Sequence, residues 1–295
     1  TLAVLGHTEC QTIRECGDAT WGDVVVDAET VFVDASYGGG ASDGSTAAPF
    51  TTINEAVAAV ASGGQVAVAA GEYPEWALVT VRGVHQGAYD QPAISVTAVG
   101  SGSVVRGVTL AGPADGLVVI GAALTVEQVQ VLDVGGGGIY LGDGADVALS
   151  RVRVSGSRYT ALELHASDAH LDECVIRDTQ PLSGDDFSRG IDVVCDPSGA
   201  PCSRLWLTRS VVSGAVESGV RSNGGDVVIE GSVVRDTRSL ANGDRGRGIE
   251  AICKLPTVCG TLQVRDSWLS GNHDGGLLVT GPPATIERTV VRDTE

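Results

Sequence analysis

The chain of 295 residues contains no methionine, not even at position 1, and one lysine, Lys254. Such a start leads us to expect a processed form or a piece of a longer protein. No run of ~20 apolar residues is present to form a membrane-spanning helix. Basic residues are scarce as well: 19 Lys and Arg stand against 37 Asp and Glu, for a net charge of −18 and a pI near 4.5. Nucleic acid and anionic membrane surfaces are therefore excluded as partners, because both need a basic face. An acidic surface favours solubility, and favours calcium binding only where carboxylates cluster. We expect no cofactor, with calcium as the one alternative. Aromatic residues make up 4% of the chain, although 43% of it is hydrophobic. With 41 glycines and Val-rich alternation throughout, the composition predicts an all-β protein whose core is Val, Leu, Ile and Ala.

The seven cysteines fall into three close pairs, Cys10/Cys16, Cys195/Cys202 and Cys253/Cys259, with Cys174 alone. Five or six intervening residues and dispersed histidines do not suit zinc. The spacing favours three disulfides and an oxidising compartment. Cys174 reads as a small buried hydrophobe rather than a catalytic thiol.

A small residue followed by an aliphatic recurs at Ala93-Ile94, Gly116-Leu117, Gly138-Ile139, Ala161-Leu162, Gly190-Ile191, Gly219-Val220, Gly248-Ile249 and Gly276-Leu277. A second anchor follows at Val126, Leu149, Leu171, Leu207, Ile229, Val264 and Ile286. Steps of 22 or 23 residues, lengthening to 28 or 29, describe coils of short strands stacked about 4.8 Å apart. The pattern predicts a parallel β-helix of about 8–9 coils. Three residues past the second anchor, Val129, Val152, Cys174, Ser210, Ser232, Ser267 and Thr289 form one inward ladder. From Leu171 onward, long and short coils alternate in a 58-residue super-repeat. Its long loops are 178–189 and 236–247, and the stretches "GIDVVCDPSGAPC" and "GIEAICKLPTVC" follow them in the same coils.

Residues 31–75 carry Val33-Asp34, Asp43-Gly44, Pro49-Phe50, Thr52-Ile53, Ala56, Gly71, Tyr73 and Glu75. This segment resembles the opening of secreted right-handed parallel β-helix proteins of the pectin-lyase-like superfamily. The stretch "CGDATWGD" is similar to leads in large surface proteins of myxobacteria-like, high-GC bacteria. The resemblance implies a right-handed coil, an N-terminal α-helical cap and a secreted or cell-surface location. Thr52 to Glu55 has capping-box spacing, which predicts a helix through about Ala61. The expected organisation is a Cys-containing lead over 1–30, a strand and capping helix over 31–64, and the β-helix over 65–295. The last coil ends without a comparable cap, so more chain or an end-to-end neighbour is expected there.

Enzymes of the superfamily act on acidic polysaccharides, yet none of their catalytic motifs is present whole. Asp185-Asp186 and His273-Asp274 are partial echoes, weighed against plain solvated turns. The two long loops align with each other, Asp186 with Asp244 and Arg189 with Arg247. These four residues are the candidate ligand-binding ridge, the alternative being an Asp–Arg pair that holds each loop to the body. Trp206 and Trp268 are candidates for stacking on sugars or for covering coil edges. The "RDT" triplets read as turn chemistry. The functional reading is a non-catalytic structural or binding module facing an extracellular polysaccharide or another surface protein. A diverged polysaccharide lyase or hydrolase and a filament subunit are the alternatives.

Overall fold

The computed structural model describes residues 19–21, 25–61, 64–75, 77–80, 92–97, 103–181, 188–195, 201–255 and 258–294. Cys10, Cys16, Asp185 and Asp186 lie outside these residues. The described chain forms a right-handed parallel β-helix. Sheet I has nine strands, running from Ala77–Thr80 to Gly275–Thr280. Sheets II and III have eight each, ending at Ala284–Glu287 and Val290–Arg292. Each coil passes from sheet I to II to III and back to I.

The small-aliphatic anchors are the register of sheet I. Ile94, Leu117, Ile139, Leu162, Ile191, Val220, Ile249 and Leu277 pair in sequence from coil to coil. The second anchors Val126, Leu149, Leu171, Leu207, Ile229, Val264 and Ile286 pair likewise along sheet II. Most of these residues are buried in one continuous aliphatic core. Side chains alternate across a strand, so one face of each sheet fills the core and the other faces outward.

The inward ladder is present, and its upper half is hydroxyl-lined. The Cys174 amide donates to Ser210 Oγ at 3.0 Å, Ser210 to Ser232 Oγ at 3.1 Å, and Ser232 to Ser267 Oγ at 3.2 Å. Each preceding residue has a positive φ (Glu173, Arg209, Gly231 and Asp266), which takes the following amide out of regular sheet pairing. A buried amide needs an acceptor, and the serine one coil on supplies it. Cys174 is 2% exposed in this ladder.

At the N-terminal end, Thr30–Val33 pairs in parallel with Gln65–Val68. One helix, α1 (Ile53–Ala59), packs against those strands and Ala77–Thr80. It ends two residues before the expected Ala61, because Val60 is already extended. Its capping box between Thr52 and Glu55 is complete. Glu75 adds a second cap: its carboxylate accepts from the Ile53 amide at 2.7 Å and the Asn54 amide at 3.1 Å. Anions are stabilised at helix N-termini, which gives this motif residue a physical role. Tyr73 reaches the Ala69 carbonyl at 3.0 Å.

Candidate functional site

The outer face of sheet I changes character midway along the helix. In strands Leu162–His165, Ile191–Val194 and Arg247–Ile252 the inward residues are aliphatic and almost fully buried. The outward residues between them form one register column: Tyr140, Glu163, Asp192, Arg221 and Glu250. His165 lies two residues further along the strand of Glu163, on the same outward side.

Charged groups from the long connections close over this column. Arg189 NH1 donates to Asp192 Oδ2 at 2.6 Å, and its Nε lies 2.7 Å from Glu217 Oε2. Arg245 also pairs with Glu217. Arg221 spans Asp192 at 3.9 Å and Glu250 at 3.5 Å. Arg247 pairs with Glu250, and with Asp274 at 2.9 Å. Ser218 donates to Glu250 at 3.2 Å. Asp192 and Glu250 are buried although they point away from the core, and Glu217 is wholly buried. Burial pushes the Asp192 carboxyl above the ordinary range, against the opposite pull of Arg189 and Arg221. Burial also lowers Arg221, with Arg189 acting in the same direction. Asp192 Oδ1 has no hydrogen-bond partner among the described residues.

Next to this buried network the site opens. The Glu163 side chain is 21% exposed and that of His165 37%. Glu163 Oε1 and His165 Nε2 are 2.7 Å apart. That hydrogen bond raises the His165 pKa, with Asp192 adding to the shift and burial and Lys254 opposing it. The Tyr140 ring stacks on His165 with centroids 5.4 Å apart.

The ridge foreseen from the aligned loops divides. Arg189 and Arg247 are central to the network, but their partners are Asp192, Glu217, Glu250 and Asp274. Asp244 stays local, accepting from Asn242 Nδ2 at 3.1 Å. Of His273-Asp274, Asp274 joins through Arg247, and the His273 amide donates to the Thr237 carbonyl at 3.1 Å. Trp206 lies flat on His170 at 4.1 Å, with Arg204 5.4 Å from its ring. Arg292 lies 4.3 Å over Trp268. Both tryptophan rings thus have a face already covered by protein.

Cys195 and Cys202 form a disulfide, as do Cys253 and Cys259. Each closes the connection that leaves sheet I directly after the polar column. Among the described residues, no group of three or more His, Cys, Asp or Glu is gathered to hold a metal ion, and no helix is long and apolar enough to cross a membrane. Glu163, Asp192, Glu217, Arg221 and Glu250 were not singled out from the sequence. The available signal was a charged residue directly after an anchor, as in "GID", "GIE" and "ALELH".

Residues 115–291 match the right handed beta helix region family, and the chain belongs to it. Among solved structures it is similar to the crystal structure of pectate lyase Pel9A, with a TM-score of 0.53 and 18% identity. The match covers 87% of this chain and 67% of that one. Identity at this level speaks for the parallel β-helix fold alone. A comparison with curated protein sequences found no match.

Proposed function

We propose that the chain is an extracellular β-helix that binds polysaccharide on the outer face of sheet I, across Glu163, His165 and Arg221. The observation that carries this reading is the polar column itself. It lies on the coils that bear the longest connections, and protein carboxylates and guanidiniums fix its groups in place. Preorganised polar groups on a rigid scaffold suit recognition. Two disulfides in a strongly acidic chain support an oxidising, extracellular setting. Affinity electrophoresis through a panel of soluble polysaccharides tests it. Retardation by at least one of them is expected, and none should release new reducing ends or unsaturated sugars.

One observation favours a second reading, a diverged polysaccharide-cleaving enzyme. Glu163 and Asp192 are register partners, and Asp192 is held toward its protonated form. Glycoside hydrolysis uses a pair of carboxyl groups, one of them kept protonated as the acid. Product release abolished by both Glu163→Gln and Asp192→Asn would favour this reading over binding alone.

A further inference from the structure

We propose that this face takes a neutral, hydroxyl-rich glycan rather than a uronate polymer, with Glu163 and the free oxygen of Asp192 accepting its hydroxyls. The inference rests on the polysaccharide reading above and names the class of ligand. It follows from which groups at the face are already paired.

A uronate carboxylate needs a cation to receive it. Among the described residues, the guanidiniums of the network face protein carboxylates: Arg189 with Asp192 and Glu217, Arg245 with Glu217, Arg221 with Asp192 and Glu250, Arg247 with Glu250 and Asp274. Taking one of them for a ligand would strand a buried carboxylate, which is costly. Lys254, in the second stapled loop, is close enough to His165 to lower its pKa, one ammonium on a face that carries Glu163, Asp192 and Glu250. An anionic sugar would therefore meet carboxylates more often than free cations, and like charges oppose binding.

A hydroxyl meets the opposite situation. Glu163 is part-exposed and is held by His165 on one oxygen. One coil further, Asp192 Oδ1 is buried without a donor among the described residues, and a buried acceptor left unmade costs free energy that a ligand hydroxyl can recover. Arg221 reaches the other oxygen, Asp192 Oδ2, at 3.9 Å and Glu250 at 3.5 Å, the loosest contacts of the network, with 16% of its side chain exposed. Register pairing sets Asp192 beside Glu163, so a hydroxyl seated on Glu163 is one coil from Asp192 Oδ1.

Isothermal titration calorimetry with neutral oligosaccharides (glucan, mannan, galactan and xylan fragments) and with polygalacturonate and alginate oligomers decides the matter. The expected result is binding to a neutral class that changes little between low and high salt. Glu163→Gln, on the open side of the face, should weaken it about 10-fold or more. Asp192→Asn should weaken it as well, with circular dichroism confirming the fold of both variants. Binding to the uronate oligomers alone, falling steeply with salt, would overturn the inference and leave the polysaccharide reading standing. Neutral binding unchanged by Glu163→Gln would overturn the assignment of the acceptors. Binding to neither class would remove the polysaccharide reading and this inference with it.

Discussion

Asp178 lies against the bare α-carbon of Gly214: a Cβ there would sit 2.7 Å from Asp178 Oδ1. Asp236 and Gly271 repeat the relationship at 2.7 Å. They belong to a stacked turn column, Asp133, Gly156, Asp178, Gly214, Asp236, Gly271 and Asp293, all with φ between 50° and 76°. Each turn needs a left-handed residue, which Asp and Gly tolerate best. Two aspartates on successive coils would stack like charges about 4.8 Å apart. Alternation with glycine avoids this, and the "RDT" and "SG" endings record it. Asp178, Asp236 and Asp293 face the preceding arginines, as in Arg177–Asp178 at 3.2 Å, while Thr179 Oγ1 donates to the Ser188 carbonyl at 2.8 Å. Gly214→Ala should therefore destabilise the helix by about 2 kcal/mol, from left-handed strain and the aspartate contact. Adding Asp178→Gly should recover the contact part only. Urea unfolding of the two single variants and the double variant measures the coupling.

Glu217 is the buried clasp of the long connections. It has a φ of 75°, unusual for a non-glycine residue, and carries Arg189 on one side and Arg245 on the other. Removing one partner of a buried ion pair leaves the others uncompensated. Glu217→Ala should cost about 3–5 kcal/mol in denaturant unfolding. Glu217→Gly should cost about 1 kcal/mol less, since glycine relieves the backbone strain while losing the same pairs.

The His165–Glu163 bond predicts a pH signature. His165 has a folded pKa raised above its ordinary 6.5. Its contribution to stability is fully present below that value and is lost as pH rises through the folded pKa. Urea midpoints should fall between pH 6.5 and the folded value in the parent chain, and this segment should flatten in His165→Gln. An unchanged slope would assign the pH dependence to other groups.

Thiol mapping should find Cys195, Cys202, Cys253 and Cys259 oxidised and Cys174 reduced. Burial pushes the Cys174 thiol up to about 12, so native protein should resist iodoacetamide until it is unfolded. Replacing either disulfide pair by serines should cost about 2–3 kcal/mol, as expected for closing a short loop.

The helical frame was legible in the sequence because a β-helix repeats its core once per coil. The spacing of Ile139, Leu162, Ile191, Val220 and Ile249 is the register of sheet I itself, and the Cys174–Ser210–Ser232–Ser267 ladder follows from the same count. The functional face was harder to read. Asp192 and Glu250 look like ordinary outward residues until Arg189, Arg221 and Arg247 are brought over them. Arg189–Asp192 and Arg247–Glu250 are only three positions apart, but the rest of that closure joins residues 27 to 32 positions apart, as in Arg189–Glu217 and Ser218–Glu250, which no local pattern records. Alignment of the two loops found Arg189 and Arg247; Asp186 lies outside the described residues, and Arg247 pairs with Glu250 and Asp274 rather than with Asp244. Asp244 is satisfied within its own turn, and the strand carboxylates Asp192 and Glu250 take the arginines instead.

The central claim is that ligand binds the outer face of sheet I, and a crystal structure with a bound oligosaccharide tests it most directly. The account predicts sugar density across Glu163, His165 and Arg221, with a hydroxyl within hydrogen-bonding distance of a Glu163 oxygen. Density seated instead on the His170–Trp206 face of sheet II or beside Trp268 on sheet III, with sheet I bare, would contradict it.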